Sequence, residues 1–107
     1  MRADMTWHIV AKVDQIREGE VRGLAVGSEN IALYRIDGQI YATANICTHA
    51  MALLSDGYLD GDCIECPIHA ALFHVPTGEP RSPPATVPLK TYRTRTEADD
   101  VLVEITG

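Results

Sequence analysis

An all-β fold is what the sequence of this chain predicts, and three observations carry the prediction. Short apolar runs rich in Val, Ile, Leu, Thr and Tyr recur roughly every 8–12 residues, with turn-forming Gly, Asn and Asp between them. No stretch sustains the 3.6-residue period of an amphipathic helix. At 107 residues, 46% of them apolar and 22% charged, the chain has the length and composition of one folded domain, residues 1–107.

The elements follow in order. Residues 21–26 and 31–36 form two strands separated by Gly27-Ser28-Glu29-Asn30. Asp37-Gly38 is a strong type I′ hairpin signal, and residues 39–43 return as the partner strand. Further strands are expected at 63–65, 71–75, 89–94 and 101–105, with a last turn at 97–100. Residues 14–20 allow one helical turn at most, and Pro80-Arg81-Ser82-Pro83-Pro84 is a stiff, extended loop. Between Asn45 and Val75 the alternation gives way to loops. Residues 45–75 therefore read as a small subdomain held by metal rather than by a core of its own, inserted in a β base formed by 1–44 and 76–107.

Charge narrows the function. From residue 36 to 80 there is no Lys or Arg, whereas Asp37, Asp56, Asp60, Asp62, Glu65 and Glu79 all fall there. Elsewhere acids and bases balance, so this segment carries the whole net charge of −6. That sign argues against nucleic acid as a partner. No run approaches the ~20 apolar residues of a membrane span, and no signal peptide or twin-arginine leader is seen, so a cytoplasmic protein is expected. An odd count of three cysteines in such a compartment favours metal ligation over disulfides.

Two half-motifs carry the chemistry. Cys47-Thr48-His49 and Cys66-Pro67-Ile68-His69 together read C-x-H-x16-C-x-x-H, pairing one soft thiolate with one imidazole in each half. This set fits a Rieske 2Fe–2S centre, in which two His replace two Cys on one iron. With two neutral imidazoles such a centre is less negative than a four-thiolate one, so an added electron costs less Coulomb energy. A Cys2His2 zinc site uses the same donors, but the half-spacings differ from the usual zinc knuckles. Cys63 completes a C-x-x-C with Cys66, yet no helix follows, so it reads as a strand residue outside the ligand set. His8 and His74 lack Cys neighbours and read as packing or surface residues.

On these motifs the chain resembles the Rieske-type ferredoxins of bacterial aromatic-ring-hydroxylating dioxygenase systems. Residues 7–11, the 34–41 hairpin, Thr77-Gly78-Glu79, the proline loop at 82–86 and residues 89–92 extend the likeness along the chain. The resemblance implies an antiparallel β-sandwich base with a cluster-binding subdomain, and one 2Fe–2S cluster on Cys47, His49, Cys66 and His69. Cys47 and Cys66 would hold the inner iron, and His49 and His69 the outer. It implies a monomeric carrier, not an enzyme, that passes single electrons from a flavin-containing reductase to a terminal oxygenase. Ala50, Met51, Pro67, Ala70, Pro83 and Pro84 would line the partner contact around the two imidazoles. High-potential members place a disulfide where Ala52 and Ile68 stand, and Ser and Tyr hydroxyls where Ala71 and Phe73 stand. Ala70 and Ala71 also replace a more usual glycine-containing pair. The small subunit of an assimilatory nitrite reductase and a zinc-stabilised interaction module remain the alternatives.

Overall fold

Period-two patterning and glycine-bearing turns produce a chain of antiparallel strands. The computed structural model describes residues 5–48, 51–68, 70–83 and 85–106. In order the strands are β1 (Met5–Lys12), β2 (Val21–Val26), β3 (Glu29–Ile36), β4 (Gln39–Ala44), β5 (Tyr58–Asp60), β6 (Cys63–Glu65), β7 (Leu72–His74), β8 (Thr91–Tyr92), β9 (Thr94–Glu97) and β10 (Asp100–Thr106). They form three sheets, ordered β1-β10-β9, β2-β3-β4-β8 and β5-β6-β7. Single 3₁₀ turns stand at Val13–Gln15 and Leu54–Asp56.

The Asp37-Gly38 hairpin forms as its sequence demands. Ile36 pairs with Gln39, and both turn residues have positive φ, 50° at Asp37 and 76° at Gly38. The Glu18 carboxylate accepts from both turn amides, at 2.7 Å and 2.8 Å, which leaves neither donor unpaired.

Strand β3 is apolar on both faces, and this organises the molecule. Ile31 and Leu33 point into a core with Ile16, Ala42, Val101, Val103 and Ile105. Ala32, Tyr34 and Ile36 point the other way, against Leu54, Ile64, Phe73, Val75 and Leu89. Tyr34 is fully buried, its hydroxyl within 2.8 Å of Thr43 Oγ1, and burial pushes its ionisation well above the ordinary tyrosine range.

Three expectations need correction. The segment 45–75 takes part in the apolar core, because two of its short strands each bury one residue (Ile64 in β6, Phe73 in β7) on the far face of β3. It is therefore not held by metal alone. The expected strand at 89–94 is two pieces: β8 pairs with β4, the chain shifts sheets at Arg93, and β9 joins β10. Thr94 Oγ1 donates to the Ile40 carbonyl at that crossing, and Glu104 donates its N–H to Arg93. Strand β5 was not expected, since three residues between Gly57 and Gly61 are too few to show alternation.

Gly57 sits where a Cβ would run into the Glu65 carbonyl oxygen across the β5–β6 ribbon. Gly57→Ala should therefore destabilise the fold by about 1–3 kcal/mol, as overpacking against fixed backbone does. A lowered midpoint in chemical denaturation checks it; an unchanged midpoint contradicts the packing.

Candidate metal centre

Both half-motif cysteines occupy the same structural position. Each is the last residue of a two-stranded stem before a four-residue loop. In the first stem Leu54 donates to the Asn45 carbonyl, Ile46 bridges Leu53, and the Cys47 N–H donates to Ala52 at 2.9 Å. In the second, Glu65 pairs with Leu72 and the Cys66 N–H donates to Ala71 at 2.8 Å. Loops of this size favour a type I turn, and Pro67 pre-sets the φ that such a turn needs at its first central residue. Ala70 closes the second loop at φ 54°, a conformation that glycine adopts more readily.

The two stems bring the sulfurs together. Cys47 and Cys66 are buried, 4% and 0% exposed, and hydrogen-bond through their side chains. Burial pushes the Cys66 thiol up, and the adjacent Cys47 adds to this, while the Ile68 N–H donating to the Cys66 sulfur works in the opposite direction. Two soft donors converging in a dry site are a donor set for iron or zinc rather than for a hard cation. Iron–sulfur ligation fits these residues. His49, Ala50, His69 and Pro84 lie outside the described residues.

Cys63 stands apart from this pair. It lies on β6 opposite His74 of β7, half-exposed, and its sulfur contacts Asp62 Oδ1 at 3.6 Å. Burial first, and then the Asp62 carboxylate, push its thiol up, so it does not carry the thiolate character of a redox-active C-x-x-C. His74 Nε2 lies 3.0 Å from Asp62 Oδ2 and its Nδ1 2.8 Å from Thr77 Oγ1. With the Val75 N–H on the Asp62 carbonyl, this group ties the ends of the β6–β7 ribbon.

A third segment flanks the loops. Arg81 donates to the Leu72 carbonyl, Ser82 Oγ accepts from the Leu72 N–H, and Thr48 Oγ1 donates to the Val87 carbonyl at 2.7 Å. Met51, Pro67, Ala70 and Pro83 are all exposed, Met51 to 91%. Ile46, Leu53, Ile68 and Val87 are exposed as well, and sequence reading missed them as surface residues. Their apolar character pointed inward; the stem register turns Ile46 and Leu53 out, and Ile68 and Val87 stand outside the stems.

The family described as Rieske [2Fe-2S] domain matches residues 6–93. The ferredoxin component of the naphthalene 1,2-dioxygenase/salicylate 5-hydroxylase systems of a Ralstonia species is 44% identical, over 92% of this chain and 95% of that protein. A chain in the complex of reduced oxygenase and oxidized ferredoxin of carbazole 1,9a-dioxygenase superposes with a TM-score of 0.85 at 43% identity, covering 91% of each chain. The ferredoxin of Sphingomonas yanoikuyae B1 gives a TM-score of 0.89 at 34% identity, over 94% of this chain and 99% of that one.

The Asp62–His74 link has a definite pH signature. Its hydrogen bond to His74 holds the Asp62 carboxyl below the ordinary 3.8. A carboxyl lowered on folding stabilises the fold above its unfolded value, and that contribution disappears as pH falls through the folded one. Wild type should thus melt above Asp62→Asn at pH 6, with the gap closing below about pH 4. A gap that does not narrow as pH falls from about 4 to about 3 would contradict the assignment.

Proposed function

This chain belongs to the Rieske [2Fe-2S] domain family, and from that membership we propose that it carries single electrons to the terminal oxygenase of an aromatic-ring-hydroxylating system. The observation that supports this most directly is the pair of buried, stem-end cysteines, one from each half-motif, with their sulfurs in contact. Cys47 and Cys66 would hold one iron, and His49 and His69 the other. When bound, the cluster supplies one-electron redox chemistry.

The residues of the chain do the rest. The two stems fix the sulfur positions, so neither sulfur has to move on electron uptake. Leu54, Ile64, Ala71 and Phe73 exclude water from beneath the pair. The Ile68 N–H donates to the Cys66 sulfur and stabilises negative charge there. Ala71 and Phe73 bring no hydroxyl to the site, which favours the low end of the Rieske range of potentials. Ala71 and Phe73 also disfavour a quinol-oxidising role. The names of the relatives favour a dioxygenase system over the nitrite reductase alternative. Among the described residues no helix is long and apolar enough to cross a membrane. We place the carrier in the cytoplasm as a monomer, receiving electrons from a flavin-containing reductase.

Purified protein should be red-brown, with two irons and two labile sulfides per chain. The reduced form should give an electron paramagnetic resonance signal with average g below 2. Ala at Cys47, His49, Cys66 or His69 should abolish assembly, while Cys63→Ser should leave the spectrum intact. A colourless protein holding one zinc would sink the reading, and loss of the cluster in Cys63→Ser would overturn the ligand set.

Docking generates a second test. Exposed Met51, Pro67, Ala70 and Pro83, joined by Ile46, Leu53, Ile68 and Val87, can desolvate against a partner, with Ala50 and Pro84 assigned by sequence to the same contact. Asp56 and Asp60 are exposed further out, whereas Asp62 is engaged by His74. Acidic surroundings suit steering toward basic patches. Electron delivery to the oxygenase should slow as salt rises, and Asp56→Lys with Asp60→Lys should slow it about tenfold at low salt. Equal rates at 20 mM and 500 mM salt, in both proteins, would reduce the acids to a solvated face.

A further inference from the structure

We propose that Asn45 is the positioning residue that sets the first sulfur-bearing loop in register with the second; this deepens the function proposed above and rests on it. Asn45 is 2% exposed and uses every polar atom it has. Its N–H donates to the Asn30 carbonyl at 2.9 Å, and its carbonyl accepts from Leu54 at 2.7 Å. Its Oδ1 accepts from the Ser55 N–H at 2.9 Å, and its Nδ2 donates to Asn30 Oδ1 at 3.1 Å and to Ser55 Oγ at 3.0 Å. One side chain, just past the end of β4, thus binds the start of β3 and the 3₁₀ turn that closes the loop.

The first loop needs such a device and the second does not. The Cys66 stem continues directly from β6 and β7, which are members of a sheet. The Cys47 stem begins where β4 has ended, and consists of a single bridge, Ile46 to Leu53, with hydrogen bonds on either side of it. A slip of one residue there would turn Cys47 away from Cys66. Asn45 lies two residues before Cys47 and binds both strands of the stem at its base, which forbids that slip. Burial alone would be served better by Leu, since a buried amide costs free energy unless fully bonded.

Gly23 of β2 supports the same conclusion independently. A Cβ there would approach Ser55 Oγ to 2.6 Å and Asn45 Nδ2 to 2.7 Å. Its φ is not positive, so the backbone does not require glycine. The space for the amide network does.

The test compares Asn45→Ala, Gly23→Ala and Ser55→Ala with Val103→Ala, a cavity control in β10 that makes no hydrogen bond to the 45–54 segment through its side chain, in the cluster-loaded protein. Three readouts are taken: thermal midpoint, amide hydrogen exchange of the 45–54 segment, and the g-values of the reduced state. Asn45→Ala and Gly23→Ala should each speed exchange in 45–54 by about tenfold, as loss of one or two buried hydrogen bonds implies, and shift the g-values. Ser55→Ala should do the same more weakly. Val103→Ala should lower the midpoint with neither effect. If Asn45→Ala behaves like Val103→Ala, the proposal is overturned. If Asn45→Ala does not fold, Gly23→Ala decides in its place. If wild type holds no two-iron centre, the function fails by itself, and exchange in 45–54 still decides the role of Asn45.

Discussion

Two backbone hydrogen bonds, Cys47 N–H to Ala52 and Cys66 N–H to Ala71, are the constraint on which the rest of the site depends. Each ends a stem one residue before a four-residue loop, and each fixes where a sulfur points. A cysteine one position earlier would face the opposite side of its ribbon, because side chains alternate along a strand. The stems themselves stand on β3. Ala32, Tyr34 and Ile36 on one face of that strand meet Ile64 and Phe73 of the β5–β7 sheet, while Ile31 and Leu33 close the other core. A strand with one polar face would have left the loop-bearing sheet with nothing to pack on.

Placing two thiolates side by side in a dry pocket is electrostatically costly. Burial and mutual proximity push the Cys66 thiol up, and no Lys or Arg occurs from residue 36 to 80 to offset a negative charge. Under the proposed function the compensating positive charge would come from a bound metal. Metal binding therefore releases protons and reinforces a fold that its own packing already supports. This division explains why the segment tolerates short strands of only three residues: the core holds the sheet, and ligation stiffens the tip.

Much of this was legible in the sequence, for reasons that differ from element to element. The convergence of Cys47 and Cys66 was legible because metal chemistry restricts residue types, and two Cys–His pairs at fixed spacing seldom arise otherwise. Asp37-Gly38 was legible because few residue pairs tolerate two successive positive φ values. The split of 89–94 into β8 and β9 was not, since a strand that changes sheets keeps the composition of a single strand. Nor was the Asn45 network, whose partners lie 10 and 15 residues away with no periodic signal. Asp62 illustrates the limit for charges. In sequence it is one acid of an acidic stretch, but its bond to His74 separates it from its exposed neighbour Asp60.

That separation bears on how a carrier of this shape can serve two partners with one surface. An electron leaves a buried centre most readily where the protein cover is thinnest, so under the proposed function donor and acceptor would compete for the same face. Tight binding to either would block the other, and the complex must dissociate after each transfer. Exposed apolar groups such as Met51, Ile68 and Val87 would, at such a contact, exclude water without ion pairs that have to be broken. Exposed acids such as Asp60 would raise the encounter rate from a distance, where they add little to the lifetime of the complex. An acid committed to the fold, as Asp62 is, can do this less well, because its carboxylate is already held by a hydrogen bond to His74. Fast arrival and fast departure then come from different residues, and each can change without altering the stems that hold the sulfurs.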